Sequence, residues 1–311
     1  MADIAIRTET LTRDFAAVRA VDALTLQVEA GAVFGFLGPN GSGKTTTIRM
    51  LLGLLEPTAG RAEVLGFDTR THSGQIRARS GALLENPGLY ERFSAEDNLE
   101  FYARVWHLGS AERRARIRQL LDHLGLWERR KEAVSKWSRG MKQKLAVARA
   151  LIHRPSLIFL DEPTAGLDPV AAAALRADLQ SLVANGEATV FLTTHNLAEA
   201  EKLCTHVAVI REGKLLAIGH PDELRAQSGV PKAEILGRGF TPEVLLALRS
   251  LPAVASTEVR NGRLTIALRG PSDLAPIVTL LVTLGAQIEE VHKGHATLED
   301  VFLKLMEEET A

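Results

Sequence analysis

The chain has 311 residues, 46% of them apolar, and a formal net charge of −1. That length accommodates about two domains with proper cores, and the balanced charge removes any general argument for nucleic-acid binding. A single cysteine, Cys204, excludes an internal disulfide and a cysteine-based metal site; its apolar-rich helical surroundings point to a small core residue.

The N-terminal segment MADIAIRTETLTRDF lacks the charged-then-apolar order of a secretory signal. AVFGFL, residues 32–37, is the first buried strand the pattern names. After it, Ile48, Leu51, Leu52 and Leu55 follow the i, i+3, i+4, i+7 spacing of one helical face. Residues from about 87 to 150 lack strand signals and are rich in helix formers, which predicts a helical subdomain inserted between strands. Within it, residues 111–149 carry twelve Lys or Arg against four Asp or Glu. Most of that excess reads as a solvated surface; a minority suits anionic lipid headgroups or a membrane partner.

LIFL (157–160) and TVFLTT (189–194) are two more buried strands, and VAVIREGKLLAIG is a hairpin turning at Arg211-Glu212-Gly213. Short apolar runs alternating with helical patterns predict an α/β layered domain over residues 1–228. From 229 to 311 the order becomes strand, helix, hairpin, helix, strand and a last amphipathic helix. Asn261-Gly262 marks the hairpin turn, and Pro276 is tolerable in the first turn of its helix. The βαββαβ order predicts a small ferredoxin-like α+β domain. The longest apolar run, LAPIVTLLVTLGA, falls short of the about 20 residues that span a bilayer. A cytosolic chain is expected, with any membrane part supplied by a partner.

Three places carry chemistry. GPNGSGKT comprises Gly38, Pro39, Asn40, Gly41, Ser42, Gly43, Lys44 and Thr45, and Thr46 is next in the chain. It fits the phosphate-cradling pattern G-x-x-x-x-G-K-[ST], and it stands where that pattern must, after a strand and before a helix. Glycines let backbone N–H groups turn inward on an anion, and the helix N-terminus adds positive dipole. Lys44 is placed to reach the β- and γ-phosphates and Thr45 to ligate Mg²⁺. Next, LIFLDEP ends a buried strand in Asp161 and Glu162. Asp161 suits the Mg²⁺ shell opposite Thr45, and Glu162 suits the attacking water, which it orients and polarises as much as deprotonates. Third, His195 ends TVFLTT. A lone histidine there is either structural or functional; its place at the end of a parallel strand favours function.

The succession GPNGSGKT, WSRGMKQKL, LIFLDEP, AGLD and TTH closely resembles the ATPase subunit of ABC transporters, over roughly residues 3–225. The resemblance implies a P-loop NTPase fold with a RecA-like core, an ABC β-subdomain and the inserted helical subdomain. It implies ATP and Mg²⁺ as cofactors. Two copies of the chain would sandwich ATP, the cradle of one facing the signature of the other. A separate integral membrane permease would hold the dimer at the inner face of the membrane, and nucleic acid is not an expected partner. By position, Phe15 resembles the adenine-stacking aromatic, with a core role as the alternative. Asp168 resembles the loop that communicates across the dimer, and His195 the switch that contacts the γ-phosphate.

Two positions depart from the family pattern. Glu85 stands where a metal-sensing glutamine is usual; it keeps an oxygen ligand for Mg²⁺ but adds negative charge. In the signature, Trp137-Ser138-Arg139-Gly140-Met141 retains the serine and the second glycine, and Arg139 replaces the first. Arg139 has two open directions: toward the opposite γ-phosphate, partly balancing Glu85, or toward solvent or the permease. Both departures, with the C-terminal TLEDVFL, resemble the drug- and antibiotic-exporter (daunorubicin-resistance-like) branch of type-2 ABC exporters. The competing class is a soluble non-transport ABC ATPase acting in regulation, resistance or on nucleic acid or ribosomes. Ribosome-acting members typically join two cassettes in one chain, and DNA-repair members insert coiled coils or zinc modules; neither pattern is in this sequence.

Overall fold

The computed structural model describes residues 3–308 except 187, 229–231, 261, 271, 295 and 296. The chain divides into two compact units, Met1–His220 and Pro221–Ala311. The division by contacts falls after His220, eight residues before the expected boundary at 228. Helix Pro221–Ser228 belongs to the second unit, where it packs against helix Leu298–Glu308.

In the first unit, six strands form the central sheet in the order Lys214–Gly219, His206–Arg211, Val33–Leu37, Thr189–Thr194, Leu157–Asp161, Ser80–Leu83. The last five run parallel. Parallel strands covered on both faces need continuous apolar runs, and Val33–Leu37, Leu157–Asp161 and Thr189–Thr194 are buried at every position. Phe34, Phe36 and Phe159 gather on Phe191 with ring centroids 5.5, 5.5 and 5.7 Å away. Each such burial stabilises by about 1.5–3 kcal/mol. Glu212 and Gly213, both at positive φ, make the two-residue turn that pairs Arg211 with Lys214.

A second, antiparallel sheet has the order Val18–Glu29, Ile4–Phe15, Ala59–Val64, Phe67–Asp68. The pattern names no strand before residue 32, yet two twelve-residue strands lie there. Register shifts between Thr8 and Leu11 and again toward Arg13, with Thr10 and Ala23 at positive φ, break the alternation that would reveal them. Helices Ala95–Val105, Ser110–His123 and Arg139–Leu151 form the inserted helical layer, as expected. Helix Lys44–Leu51 is shorter than its apolar spacing predicts: Gly53, at φ 61°, lies just past its end, and Leu55 packs on the core from beyond the helix.

In the second unit, four antiparallel strands take the order Val254–Arg260, Arg263–Leu268, Lys232–Arg238, Gln287–Gly294. With helices Pro242–Arg249 and Ala275–Thr283 this is the predicted βαββαβ arrangement. Its separate core centres on Ile235, Leu248, Leu264, Ile266 and Leu281. Asn261 of the expected turn lies outside the described residues; Gly262 has φ 76°.

Candidate active site

The sheet register builds the site. Leu37 pairs with Thr194, and Asp161 with Thr193. Three chain exits, to Gly38, Glu162 and His195, therefore emerge side by side at the carboxyl ends of adjacent parallel strands. Ligands of open α/β sheets bind at such an edge.

The loop after Leu37 is held so tightly that two glycines are required. A Cβ on Gly38 would lie 2.3 Å from the Ile210 carbonyl oxygen, and one on Gly43, at φ 101°, 2.3 Å from that of Ala20. The loop runs into helix Lys44–Leu51, which has no side-chain cap and no acid in its first turn. Its first N–H groups are thus left for an external acceptor. Ser42 Oγ, buried in the same loop, has no hydrogen-bond partner among the described residues.

Lys44 is only 7% exposed. Its Nζ donates to the carbonyls of Gly38 at 2.8 Å and Pro39 at 3.0 Å and stands 4.0 Å from Glu162 Oε1. Burial lowers its pKa, while Glu162 and then Asp161 raise it. An ammonium has three N–H donors, so one remains beyond those two carbonyls. Thr45 Oγ1 donates to Asp161 Oδ2 at 2.7 Å, and Thr193 Oγ1 donates to Oδ1 at 2.5 Å. The buried carboxylate is aimed from both sides. A hydroxyl and a carboxylate held together beside a phosphate cradle fit a hard divalent cation, which takes oxygen ligands and completes its shell from phosphate and water.

Glu162 has φ 51°, uncommon for a residue with a Cβ. Its N–H donates to Thr193, to the carbonyl at 3.1 Å and Oγ1 at 3.2 Å. Glu162 Oε2 lies 2.8 Å from Nδ1 of His195, whose ring is largely exposed. A cavity of about 590 Å³ opens here, lined by residues including Asn40, Thr45, Thr46, Glu85, Asp161 and Glu162. That volume suits a small-molecule ligand.

Other expected residues lie around the cavity or beyond it. Glu85 lines it, but its charge is not left unbalanced: Oε2 accepts from Arg49 Nη2 at 3.1 Å. Ser138 caps helix Arg139–Leu151, its Oγ accepting from the Met141 N–H at 3.3 Å; its own hydroxyl proton is still free to donate. Trp137 before it is core, 5% exposed. Arg139 also lines the cavity, its side chain lying against Gly166 of the AGLD turn, where φ is 78°. Asp168 caps helix Pro169–Ala184, accepting from the N–H groups of Val170 and Ala171 at 3.0 and 2.9 Å. Those bonds, the one from Ala171 first, hold its carboxyl below the usual carboxylate range. Phe15 and His195 are not among the residues lining the cavity. Phe15 is 42% exposed, with the Arg13 guanidinium 4.6 Å from its ring centroid.

Sequence reasoning passed over Thr193, Gln143 and Arg49. Gln143 Nε2 donates to the Pro163 carbonyl at 2.9 Å, tying helix Arg139–Leu151 to the segment after Glu162. A polar residue inside the apolar strand TVFLTT was the one signal for Thr193; nothing local marks Arg49.

A buried lysine folded into a glycine loop, faced by a hydroxyl–carboxylate pair, defines a P-loop nucleoside triphosphatase. Residues 21–165 match the family described as ABC transporter. The chain is 37% identical over 310 residues to the daunorubicin resistance ATP-binding protein DrrA3 of Streptomyces coeruleorubidus, covering 98% of this chain and 96% of that one. It is 44% identical over 211 residues to the bacitracin transport ATP-binding protein BcrA of Bacillus licheniformis, covering 68% of each. A solved ATP-binding subunit of an ABC transporter superposes with a TM-score of 0.67 at 32% identity, covering 72% of this chain and 93% of that one. The chain belongs to the ABC transporter family, among its ATP-binding subunits.

Proposed function

We propose that the chain is the ATP-hydrolysing subunit of an ABC export system, working as a dimer with a separate membrane permease. The arrangement of Lys44, Thr45, Asp161 and Glu162 around one cavity, with His195 in contact with Glu162 from outside it, carries the ATPase part; the relatives named for daunorubicin resistance and bacitracin transport support export. Among the described residues no helix is long and apolar enough to cross a membrane.

ATP would lie with its phosphates on the Gly38–Thr45 loop and its adenine toward Phe15. Mg²⁺, held through Thr45 and Asp161 with Glu85 near, would neutralise charge on the β- and γ-phosphates. Phosphoryl transfer is mostly positioning and charge stabilisation. Lys44 and the loop N–H groups hold the phosphates, Glu162 orients the water, and His195 keeps Glu162 in place and faces the γ-phosphate.

A second copy would complete the site with Ser138, Arg139 and Gly140, and Asp168 would lie at the dimer loop. One observation supports an approach from outside the chain at that turn. A Cβ on Gly140 would meet only Leu167 Cδ2, at 3.4 Å, so internal packing does not demand glycine there; a closely docking partner would. The N–H groups at that helix start are suited to an anion.

The test of export is isolation of the tagged chain from membranes of its native cell. A multi-helix membrane protein co-isolates, and ATPase activity depends on it; a chain that never associates with a membrane protein sinks the exporter reading. A smaller effect belongs to the Arg49–Glu85 pair. In metal-free buffer, Arg49→Gln leaves Glu85 unbalanced beside the triphosphate and weakens ATP binding by up to about fivefold, since the pair is exposed. Glu85→Gln moves the affinity the other way. Fluorescent-nucleotide titration in chelator reads both.

A further inference from the structure

Glu199 is a carboxylate only 5% exposed, on the short helix Leu197–Leu203. One oxygen, Oε2, accepts from Thr164 Oγ1; the other lies 3.1 Å from Arg176 Nη1. Thr164 stands two residues after Glu162. The Glu199 N–H donates to Asn196 Oδ1 at 3.1 Å, and Asn196 is the residue directly after His195. Glu199 is therefore fastened to both loops that carry the hydrolytic pair, through its buried carboxylate to that of Glu162 and through its backbone N–H to that of His195.

We propose that Glu199 is a positioning residue for hydrolysis, fixing the loop of Glu162 against the loop of His195 through Thr164, with Arg176 neutralising its charge. The proposal rests on the reading of Glu162 and His195 as the hydrolytic pair. Pairing between these two strands ends at Asp161 and Thr193, and beyond it the Glu162 N–H bond to the Thr193 carbonyl is the last backbone link between them among the described residues. Glu162 sits in left-handed backbone, a conformation that persists only where its surroundings enforce it. On one side Thr193 holds its N–H. On the other, the chain is held by the Gln143 bond to Pro163 and the Glu199 bond to Thr164. Loss of the second releases the 2.8 Å contact between Glu162 and His195. A buried carboxylate held by one guanidinium and one hydroxyl is costly to displace, because loss of either partner leaves a buried polar group unsatisfied, which makes it a rigid anchor.

Thr164→Val keeps the shape and removes only the hydroxyl. Its kcat falls about ten- to a hundredfold, the cost of misplacing a reacting group by about an ångström, while the Kd for a fluorescent ATP analogue stays within about twofold. Thr164→Ser, which restores the hydroxyl, returns kcat to near wild type. Glu199→Gln combined with Thr164→Val is no slower than the slower single variant, because both act through one link. Unchanged kcat in Thr164→Val, or a parallel loss of kcat and affinity, overturns the proposal; so does failure of serine to rescue. Glu162→Gln is assayed alongside. If it turns over normally, the hydrolytic reading itself is wrong; if it is inactive while Thr164→Val is normal, only the positioning role falls. Should Thr164→Val not fold, Thr164→Ala is measured against Thr164→Ser by the same criteria.

Discussion

Lys44→Ala loses ATP binding by at least about a hundredfold, read as the Kd of a fluorescent nucleotide on a protein whose melting temperature is otherwise preserved. Lys44 is a buried amine whose desolvation, the largest influence on it, holds its pKa below the usual lysine value and is only partly opposed by Glu162 and Asp161, while two loop carbonyls accept its N–H groups. Removing it deletes the cation that faces the phosphates. It also leaves Asp161 and Glu162 unbalanced, so the cavity changes from near-neutral to repelling an anion. Hydrogen bonds to charged groups are worth about 1.5–3 kcal/mol each; the one donor left beyond the loop carbonyls is lost to the triphosphate, and the lost charge attraction adds to it. Arginine does not replace it, because a wider, planar head does not enter a niche shaped by Gly38 and Pro39. Near-normal affinity in Lys44→Ala would remove the loop from its role as phosphate cradle.

The parts of this site legible in sequence were those that local chemistry forces. A phosphate loop must be glycine-rich, and the expected strand–loop–helix setting is present at residues 33–51. The acids at the end of LIFL and the histidine at the end of TVFLTT converge because parallel neighbours put their carboxyl ends together. The βαββαβ order of the second unit was also legible, from the alternation of short apolar runs with helical patterns and from the Gly262 turn, although two of its strand pairings carry a register shift. What stayed hidden depends on long-range pairing. The Arg49–Glu85 pair joins residues 36 apart, and the Thr164–Glu199 link joins residues 35 apart; no window of sequence contains either. The bulged N-terminal strands were invisible because their register shifts erase alternation. Arg139 could be placed in its motif but not directed, and its contact with Gly166 arises from a turn that only tertiary structure brings alongside.

Glu162→Gln separates binding from hydrolysis. The substitution keeps size and tolerates the same backbone, so the 51° φ adds no new cost and the fold is unaffected. The amide still reaches Nδ1 of His195, but it no longer polarises water, and general-base or water-orienting groups typically contribute about 10²–10⁴-fold. Turnover falls by that factor. ATP affinity does not fall with it, and rises if anything, because a negative charge 4.0 Å from Lys44 is gone and the lysine's full charge faces the triphosphate. On the proposed sandwich, a protein that binds ATP without consuming it would accumulate with two chains enclosing the nucleotide. Size-exclusion chromatography with ATP and Mg²⁺ should therefore show Glu162→Gln as a dimer, while wild type under turnover dissociates and Lys44→Ala remains monomeric with or without ATP. The three proteins together are decisive. Turnover by Glu162→Gln at the wild-type rate removes Glu162 from the reaction; a slow but monomeric Glu162→Gln keeps the hydrolytic assignment and removes the sandwich, and with it any role of Ser138 and Gly140 at a partner's phosphate.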